Sequence, residues 1–187
     1  MDFVDWPFSK LDDYSDVGEM FDAHYKIVRA EKPKYAVAPD VDEFTTYTDV
    51  KAWADELGEY AETVIVVPKT IHPKEVARRF RVGMPCQPRY GPTPWQWTEY
   101  STCAEVHLLG GSPVKHAEIM KYHIPVESVD TTSPVKAARF GDYWNGSQWY
   151  NSTGGFYWCL KQSYRNMRRS MNPRREVWDP GTGTRIT

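Results

Sequence analysis

The chain has 187 residues, of which 41% are hydrophobic, and this suffices for one domain with a sizeable core. Its formal net charge is −2, so no overall positive field attracts nucleic acid. The three cysteines, at positions 86, 103 and 159, have neither the spacing of a zinc site nor that of a disulfide framework. The N-terminus has no basic start and no long apolar run, so we predict a cytoplasmic protein without a signal peptide or membrane span.

The first elements predicted along the chain are a strand, a helix and a second strand. Residues 3–8 form a short strand that contains Asp5, residues 17–30 a helix, and residues 35–38 the second strand. Asp40 follows the second strand and has two interpretations. It belongs either to a polar turn that caps the next helix or to a ligand site, since α/β sites form at the carboxyl ends of strands.

The next segment continues the alternation of helices and strands. We predict a helix over 49–60, a buried strand over 64–67, a helix over 73–80 and a weaker strand over 82–85. Residues 86–100 are predicted as a long loop rich in proline and aromatic residues, among them Trp95. Such a loop is either a lid or binding wall of a site, or a hydrophobic flap that shields the core.

Residues 105–141 contain the same pattern twice and indicate the fold. Apolar runs at 106–109 and 126–129 are each followed by a polar turn and a Ser-Pro pair, a combination typical of a helix start. Repeated strand, turn and helix predict a parallel α/β sheet. The residues that then lie beyond the carboxyl ends of the two strands include Gly110, Gly111, Ser112 and Asp130.

We therefore predict a single α/β domain of parallel β/α units over about residues 3–141. A complete eight-fold barrel needs about 250 residues, so the predicted architecture is a truncated or partial TIM-barrel-like fold. Residues 142–175 add an aromatic segment and a basic helix, and a loose tail follows over 176–187.

The basic helix, predicted over residues 155–171, carries Arg165, Arg168 and Arg169. A charge run of this kind is either a solvated helix face or a set of phosphate contacts beside aromatic side chains that stack on bases. His107 lies inside a strand, where a lone histidine is more often a hydrogen-bonded core residue than a catalyst. No phosphate-binding, dinucleotide-binding, serine-hydrolase or metal-ligand motif is present, so no cofactor or metal is predicted.

Three segments resemble a known family. Residues 35–43 (YAVAPDVDE), 107–113 (HLLGGSP) and 128–134 (SVDTTSP), in this order, look like the tRNA-guanine (queuine) transglycosylase superfamily. They are most similar to its short DpdA-like DNA 7-deazaguanine transglycosylases of bacteria and phages. The resemblance implies a TIM-barrel-like fold and a pentosyltransferase that exchanges guanine for a 7-deazaguanine base.

The resemblance also implies roles for individual residues. Asp40 reads the base, the Gly110-Gly111 turn contacts it through the backbone, and Asp130 attacks C1′ of the sugar. Asp5 is the positional candidate for an early aspartate of the family. The Cys/His zinc site of the tRNA enzymes has no counterpart here, so DNA is a better candidate substrate than tRNA. Further candidates for substrate binding are Ser112, His107 and Trp95.

Three functional hypotheses follow. The first is a base-exchange enzyme that acts on a nucleic acid or nucleoside with a purine or 7-deazapurine base, as a monomer or as a homo-oligomer that completes the site. The second is a non-catalytic module on a degenerate barrel, which binds nucleic acid or protein through the crevice and the basic helix. The third is a small α/β protein with an unrelated metabolite as ligand.

Overall fold

The computed structural model describes residues 2–7, 13–87 and 93–171, together with short strands at 177–178 and 185–186. Its main element is one six-stranded parallel sheet in which the strands lie side by side in chain order. The strands are β1 Phe3–Val4, β2 Tyr35–Val37, β3 Thr63–Val66, β4 Arg81–Pro85, β5 Val106–Leu109 and β6 Val126–Val129. The sheet is curled like half of a TIM barrel, so the predicted fold class is confirmed.

Helices follow the strands and complete the β/α units. They are α1 Val17–Glu31, α2 Tyr47–Leu57, α3 Pro73–Val76, α4 Trp97–Tyr100, α5 Pro113–Met120 and α6 Ser133–Ala138. Side chains cap several of them: Asp16 accepts a hydrogen bond from the amide of Glu19 at α1, and Ser112 accepts one from that of Lys115 at α5. The predicted Ser-Pro helix starts thus correspond to real helix N-termini.

Several predicted boundaries were wrong. The strand at the N-terminus ends at Val4, so Asp5 lies just beyond it, and Phe8 is outside the described residues. Helix α2 ends at Leu57 because Tyr60 N–H bonds the carbonyl of Leu57 in a tight turn. Helix α3 has only four residues, and the amides of Arg79 and Phe80 both donate to the carbonyl of Val76 in the turn that leads to β4. The predicted loop at 86–100 contains α4.

The concave face of the sheet is closely packed. Gly83 of β4 has no side chain, and a Cβ there would lie 2.8 Å from Val67 Cγ2 and 3.0 Å from Ile65 Cγ2. The curl also brings the first strand close to the fifth, because the rings of Phe3 and His107 stack with centroids 5.5 Å apart. The half-barrel interior is therefore filled by side chains, and ligand access is left to the ends of the strands.

A smaller unit follows the sheet. Strands β7 Asp142–Trp144 and β8 Trp149–Asn151 form an antiparallel hairpin, a feature that was not predicted. The predicted basic helix is α7 Gly155–Met171, which packs against β7 and α6. In the stretch predicted as a loose tail, β9 Val177–Trp178 pairs antiparallel with β10 Arg185–Ile186. Within the described part of the chain, no helix is long and apolar enough to cross a membrane.

Candidate active site

Three aspartates lie at the carboxyl ends of the strands, which we call the carboxyl rim. Asp5 follows β1, Asp40 follows β2 and Asp130 follows β6. The side chain of Asp5 remains exposed on one side, and the partial burial of its carboxyl group is the main cause that raises its pKa to about 6, to which the charge of Asp130 adds. The pKa of Asp40 is also raised to about 6, mainly by burial, with a smaller contribution from Asp5. The curl of the sheet thus brings the aspartates that follow β1, β2 and β6 into one acidic cluster.

Asp40 forms a buried ion pair with Lys69, the residue after β3. The Asp40 carboxylate is 3% exposed, and its Oδ2 accepts from Lys69 Nζ. Two backbone hydrogen bonds, both of 2.9 Å, hold this pair in place. The amide of Val41 donates to the carbonyl of Val67, and the amide of Lys69 donates to the carbonyl of Val41. Within the described residues Asp40 Oδ1 has no hydrogen-bond partner. Lys69 therefore holds Oδ2 of Asp40, the predicted base reader, while Oδ1 lacks a hydrogen-bond donor within the described residues.

Lys69 is not among the site residues predicted from the sequence. A lysine after a strand resembles any solvated turn residue, and only the pairing of β2 with β3 places it against Asp40. The signal that was present is its position at a strand end, the same position that drew attention to the aspartates.

Asp130 is oriented by the glycine turn, as its Oδ1 accepts from the amide of Gly110 at 2.7 Å. Burial raises the pKa of Asp130, while this N–H donor and His116 lower it. Gly110 and Gly111 have φ angles of 65° and 84°, in the left-handed region that favours glycine. The turn can therefore direct an amide at the carboxylate.

The carbonyls of the glycine turn point into the protein. Gly110 O accepts from His116 Nε2 at 2.7 Å, and Gly111 O accepts from Thr131 Oγ1 at 2.6 Å and Ser133 Oγ at 3.1 Å. A Cβ on Gly111 would lie 2.8 Å from the Cβ of Cys86. The turn is therefore rigid, and its carbonyls already have protein donors. His116 and Thr131 are supporting residues that only the fold reveals.

The other predicted substrate-binding residues have different surroundings. The Ser112 hydroxyl caps α5 and accepts from the amide of Lys115 at 3.3 Å. Trp95 is half-buried, with its ring centroid 5.2 Å from that of His72, which follows the carboxyl end of β3. Its indole N–H is buried and has no partner in the described parts of the chain. Trp95 therefore lies at the same end of the sheet as the acidic cluster.

His107 lies below the rim on the concave face. It is 1% exposed, its ring stacks on Phe3, and its Nδ1 is 2.8 Å from Ser128 Oγ. Burial lowers its pKa to about 3, so the ring is neutral at physiological pH. These are the surroundings of a packed core histidine.

Arg165, Arg168 and Arg169 are exposed on α7, away from the sheet interior. The last turn of α7 nevertheless approaches the carboxyl rim, because Met167 and Met171 line a small cleft together with Pro113 and His116 of α5. The structure therefore places the basic helix end next to the element that begins at the glycine turn.

A groove lies at the opposite end of the sheet from the carboxyl rim. It has a volume of about 650 Å³ and is lined by the amino ends of β3, β4 and β5 and by the turn after α3. Most of its charged residues form ion pairs, since Arg79 Nε donates to Asp55 at 2.7 Å and Arg81 donates to Glu105. In the described ranges no group of three or more His, Cys, Asp or Glu residues is arranged to hold a metal ion.

Fold and rim together define an α/β half-barrel protein with an acidic cluster at the carboxyl ends of its strands. The chain belongs to a family of unknown function, DUF6610, whose model matches residues 1–172. No curated protein matches it, and no solved structure does. The family match covers the entire half-barrel and α7.

Proposed function

We propose that the protein is a transglycosylase-type enzyme that exchanges a nucleobase, of the 7-deazaguanine and guanine kind, on a nucleoside or nucleic acid. The observation that carries this proposal is that Asp130, whose carboxylate is held by the Gly110 amide, lies at the same rim as Asp5, whose pKa is raised to about 6. Two carboxyl groups in different surroundings at one rim suit glycosidic-bond chemistry. The resemblance of three segments to base-exchange enzymes supports the same class.

In the proposed first step, ionised Asp130 attacks C1′ of the sugar. A C–O bond to Asp130 forms while the C–N bond to the base breaks, and the electron pair moves to the base nitrogen. That nitrogen takes a proton from Asp5, which is suited to this role by its raised pKa. The incoming base then returns a proton to Asp5 and displaces Asp130, which restores the enzyme.

Asp40 is proposed to read the base. Its unsatisfied Oδ1 can accept an N–H of a purine-like ring, while Lys69 holds Oδ2 in place. With a pKa of about 6, Asp40 is mainly ionised at pH 7 and able to accept. DNA remains the proposed polymer in preference to tRNA, the cytoplasm the proposed compartment, and no cofactor is required by these steps.

The test is exchange of a labelled guanine or 7-deazaguanine base with an oligonucleotide, followed by mass spectrometry of the released nucleosides. We expect Asp130→Asn to lower the exchange rate at least about 10⁴-fold, since removal of a nucleophile has effects of this size. Glu62→Gln is the matched control, because Glu62 is exposed at the opposite end of the sheet. Equal exchange by Asp130→Asn and the control would exclude the proposed nucleophile.

A second candidate is a non-catalytic binding module. The observation that favours it is the 3% exposure of Asp40 and its ion pair with Lys69, which leave the base reader closed in this structure. On this hypothesis, nucleic acid binding occurs without exchange and is the same in Asp130→Asn as in the unmodified chain. Base exchange at any rate that depends on Asp130 rules it out.

A further inference from the structure

Charge is distributed unevenly along the chain. Residues 1–130 contain 14 basic and 22 acidic residues, a net charge of −8. Residues 131–171 contain six basic residues and one acidic residue, a net charge of +5. The small overall charge therefore conceals a basic unit, formed by α6, the β7–β8 hairpin and α7, beside an acidic half-barrel.

One side of this unit combines the positive charge with exposed rings, and we call it the aromatic–basic face. Its members are Tyr143, Tyr150, Tyr157, Trp158, Lys161, Tyr164, Arg165, Arg168 and Arg169. Tyr157 is 83% exposed, Tyr164 46% and Trp158 41%. Large aromatic side chains rarely stay this exposed in a group unless they contact a partner.

The helical spacing explains how α7 presents both kinds of side chain together. Cys159, Ser163 and Met167 are buried and form its inner side. Tyr157, Lys161, Tyr164 and Arg168 follow one another at steps of four, three and four residues, so they form a stripe along the outer side. Rings and cations alternate along this stripe, and Arg165 and Arg169 beside Arg168 make the last turns of the helix its basic end.

The hairpin continues the row of rings. Tyr143 and Tyr150 are directly opposite each other on β7 and β8, with ring centroids 6.2 Å apart. Trp158 of α7 meets Tyr143 edge to face at 5.1 Å. The three rings thus extend the face from the helix onto the hairpin.

Hydrogen bonds hold the hairpin and α7 as one body. The amide of Trp144 donates to Ser163 Oγ at 2.9 Å, and its carbonyl accepts from Asn166 Nδ2 at 2.8 Å. Cys159 Sγ donates to the carbonyl of Gly141 at 3.3 Å. The rings are therefore presented by a fixed scaffold, which lowers the entropic cost of binding.

The face also has a direction. Helix α7 is about 25 Å long, and its basic end lies beside the first turn of α5. That turn directly follows Gly110 and Gly111, and Gly110 bonds Asp130. One end of a polymer that lies along α7 is therefore close to the glycine turn and to Asp130.

We propose that the aromatic–basic face binds single-stranded nucleic acid, with unpaired bases stacked on the rings and phosphates on the lysine and arginines. A single strand fits best, because its bases expose faces that a duplex hides, and stacking on aromatic side chains tolerates any sequence. This inference deepens the proposed function and rests on it only for delivery to the rim. Binding is measured separately from base exchange.

The experiment is fluorescence anisotropy of the full chain with a labelled 15-nucleotide single strand and with the corresponding duplex, at several salt concentrations. We expect at least tenfold tighter binding of the single strand. With four cations on the face, log K should fall against log salt with a slope of about −3, since each phosphate contact on a single strand contributes about −0.7.

Two pairs of substitutions separate stacking from charge. Tyr157→Leu with Tyr164→Leu should weaken binding about tenfold or more and leave the salt slope unchanged. Arg165→Gln with Arg168→Gln should weaken binding and reduce the slope by about 1.4. Lys26→Gln with Lys74→Gln is the matched control, because both lysines are exposed outside the face. Circular dichroism of each variant checks that α7 remains folded.

Equal affinity for duplex and single strand, or equal loss in the lysine control, would overturn the proposal. Binding only to vesicles with anionic lipid would also overturn it and assign the face to a membrane surface. If Asp130→Asn binds the strand normally but does not exchange bases, both proposals stand. If the unmodified chain exchanges bases on free nucleosides but does not bind the strand, the face proposal is wrong and the proposed function remains.

Discussion

The two ends of the half-barrel differ in how they arrange charge. At the amino ends of the strands, arginines alternate with acids and pair with them, as Arg79 does with Asp55 and Arg81 with Glu105. At the carboxyl rim, like charges converge, and Lys69 is the cation that balances Asp40. The amino end has a groove of about 650 Å³, whereas the carboxyl rim has the perturbed acids.

This difference shows that a large groove and a cluster of reactive side chains need not lie at the same place in a fold. Around the amino-end groove, Arg79 and Arg81 stabilise the acids Asp55 and Glu105 with which they pair. Unfavourable clustering of carboxyl groups persists at the rim although it destabilises the fold, and such clustering is typical of functional sites. The perturbed acids therefore favour the carboxyl rim, and not the amino-end groove, as the candidate site.

The largest expected effect on stability comes from breaking the buried pair at the rim. Lys69→Met should lower the free energy of unfolding at pH 8 by about 3–5 kcal/mol, because Asp40 is left buried without its cation. Loss of Lys69 raises the pKa of Asp40 further above its unfolded value. The loss should therefore be full above that raised pKa and disappear near pH 3, below the ordinary aspartate pKa of 3.8, where Asp40 is mainly protonated in both states.

Urea denaturation at the two pH values measures this effect. Arg79→Gln at the amino end is the control, and it should cost less than about 1 kcal/mol, because Arg79 is exposed. Equal losses from both variants would remove the contrast between the two ends.

A smaller effect is expected from the glycine turn. Gly111→Ala should destabilise the fold by about 2–3 kcal/mol, because its φ of 84° is unfavourable and its Cβ would lie 2.8 Å from that of Cys86. Gly155→Ala at the start of α7 has a similar φ of 75° but no atom within 4 Å of the added Cβ. It should cost only about 1 kcal/mol, for the backbone conformation alone.

Thermal melting of the two glycine variants gives the comparison. A melting temperature lowered more by Gly155→Ala than by Gly111→Ala would contradict the close packing that we describe behind the rim.

The smallest expected effect is a gain in stability from removing one of the rim charges. Burial and Asp130 raise the pKa of Asp5 to about 6, so its ionisation opposes folding as the pH rises from about 4 through 6. Asp5→Asn should therefore stabilise the fold at pH 8 by less than about 1 kcal/mol, since Asp5 is partly screened by solvent. Near pH 4 it should have no effect. A gain that is larger at pH 4 than at pH 8 would show that Asp5 does not experience the rim charges.

Much of the architecture was predictable because its determinants are local. The apolar runs at 106–109 and 126–129, with their Ser-Pro helix starts, predicted β5, β6 and the helices after them. The same runs placed Gly110 and Asp130 at strand ends, and in the structure the Gly110 amide donates a hydrogen bond to the Asp130 carboxylate. The hairpin was missed although the sequence contains a signal for it: its turn Asn145-Gly146-Ser147-Gln148 has Gly-Ser at the two central positions, a pair typical of hairpins.

Sequence alone determined the alternation of strands and helices and the residues that follow each strand, since hydrophobic period and helix caps depend on neighbours a few positions away. Only the tertiary structure decided which strand ends meet. The curl of the sheet brings Asp5 of the first unit toward Asp130 of the last, and the β2–β3 pairing sets Lys69 against Asp40. Such contacts depend on sheet curvature, to which every strand contributes and which no single segment encodes.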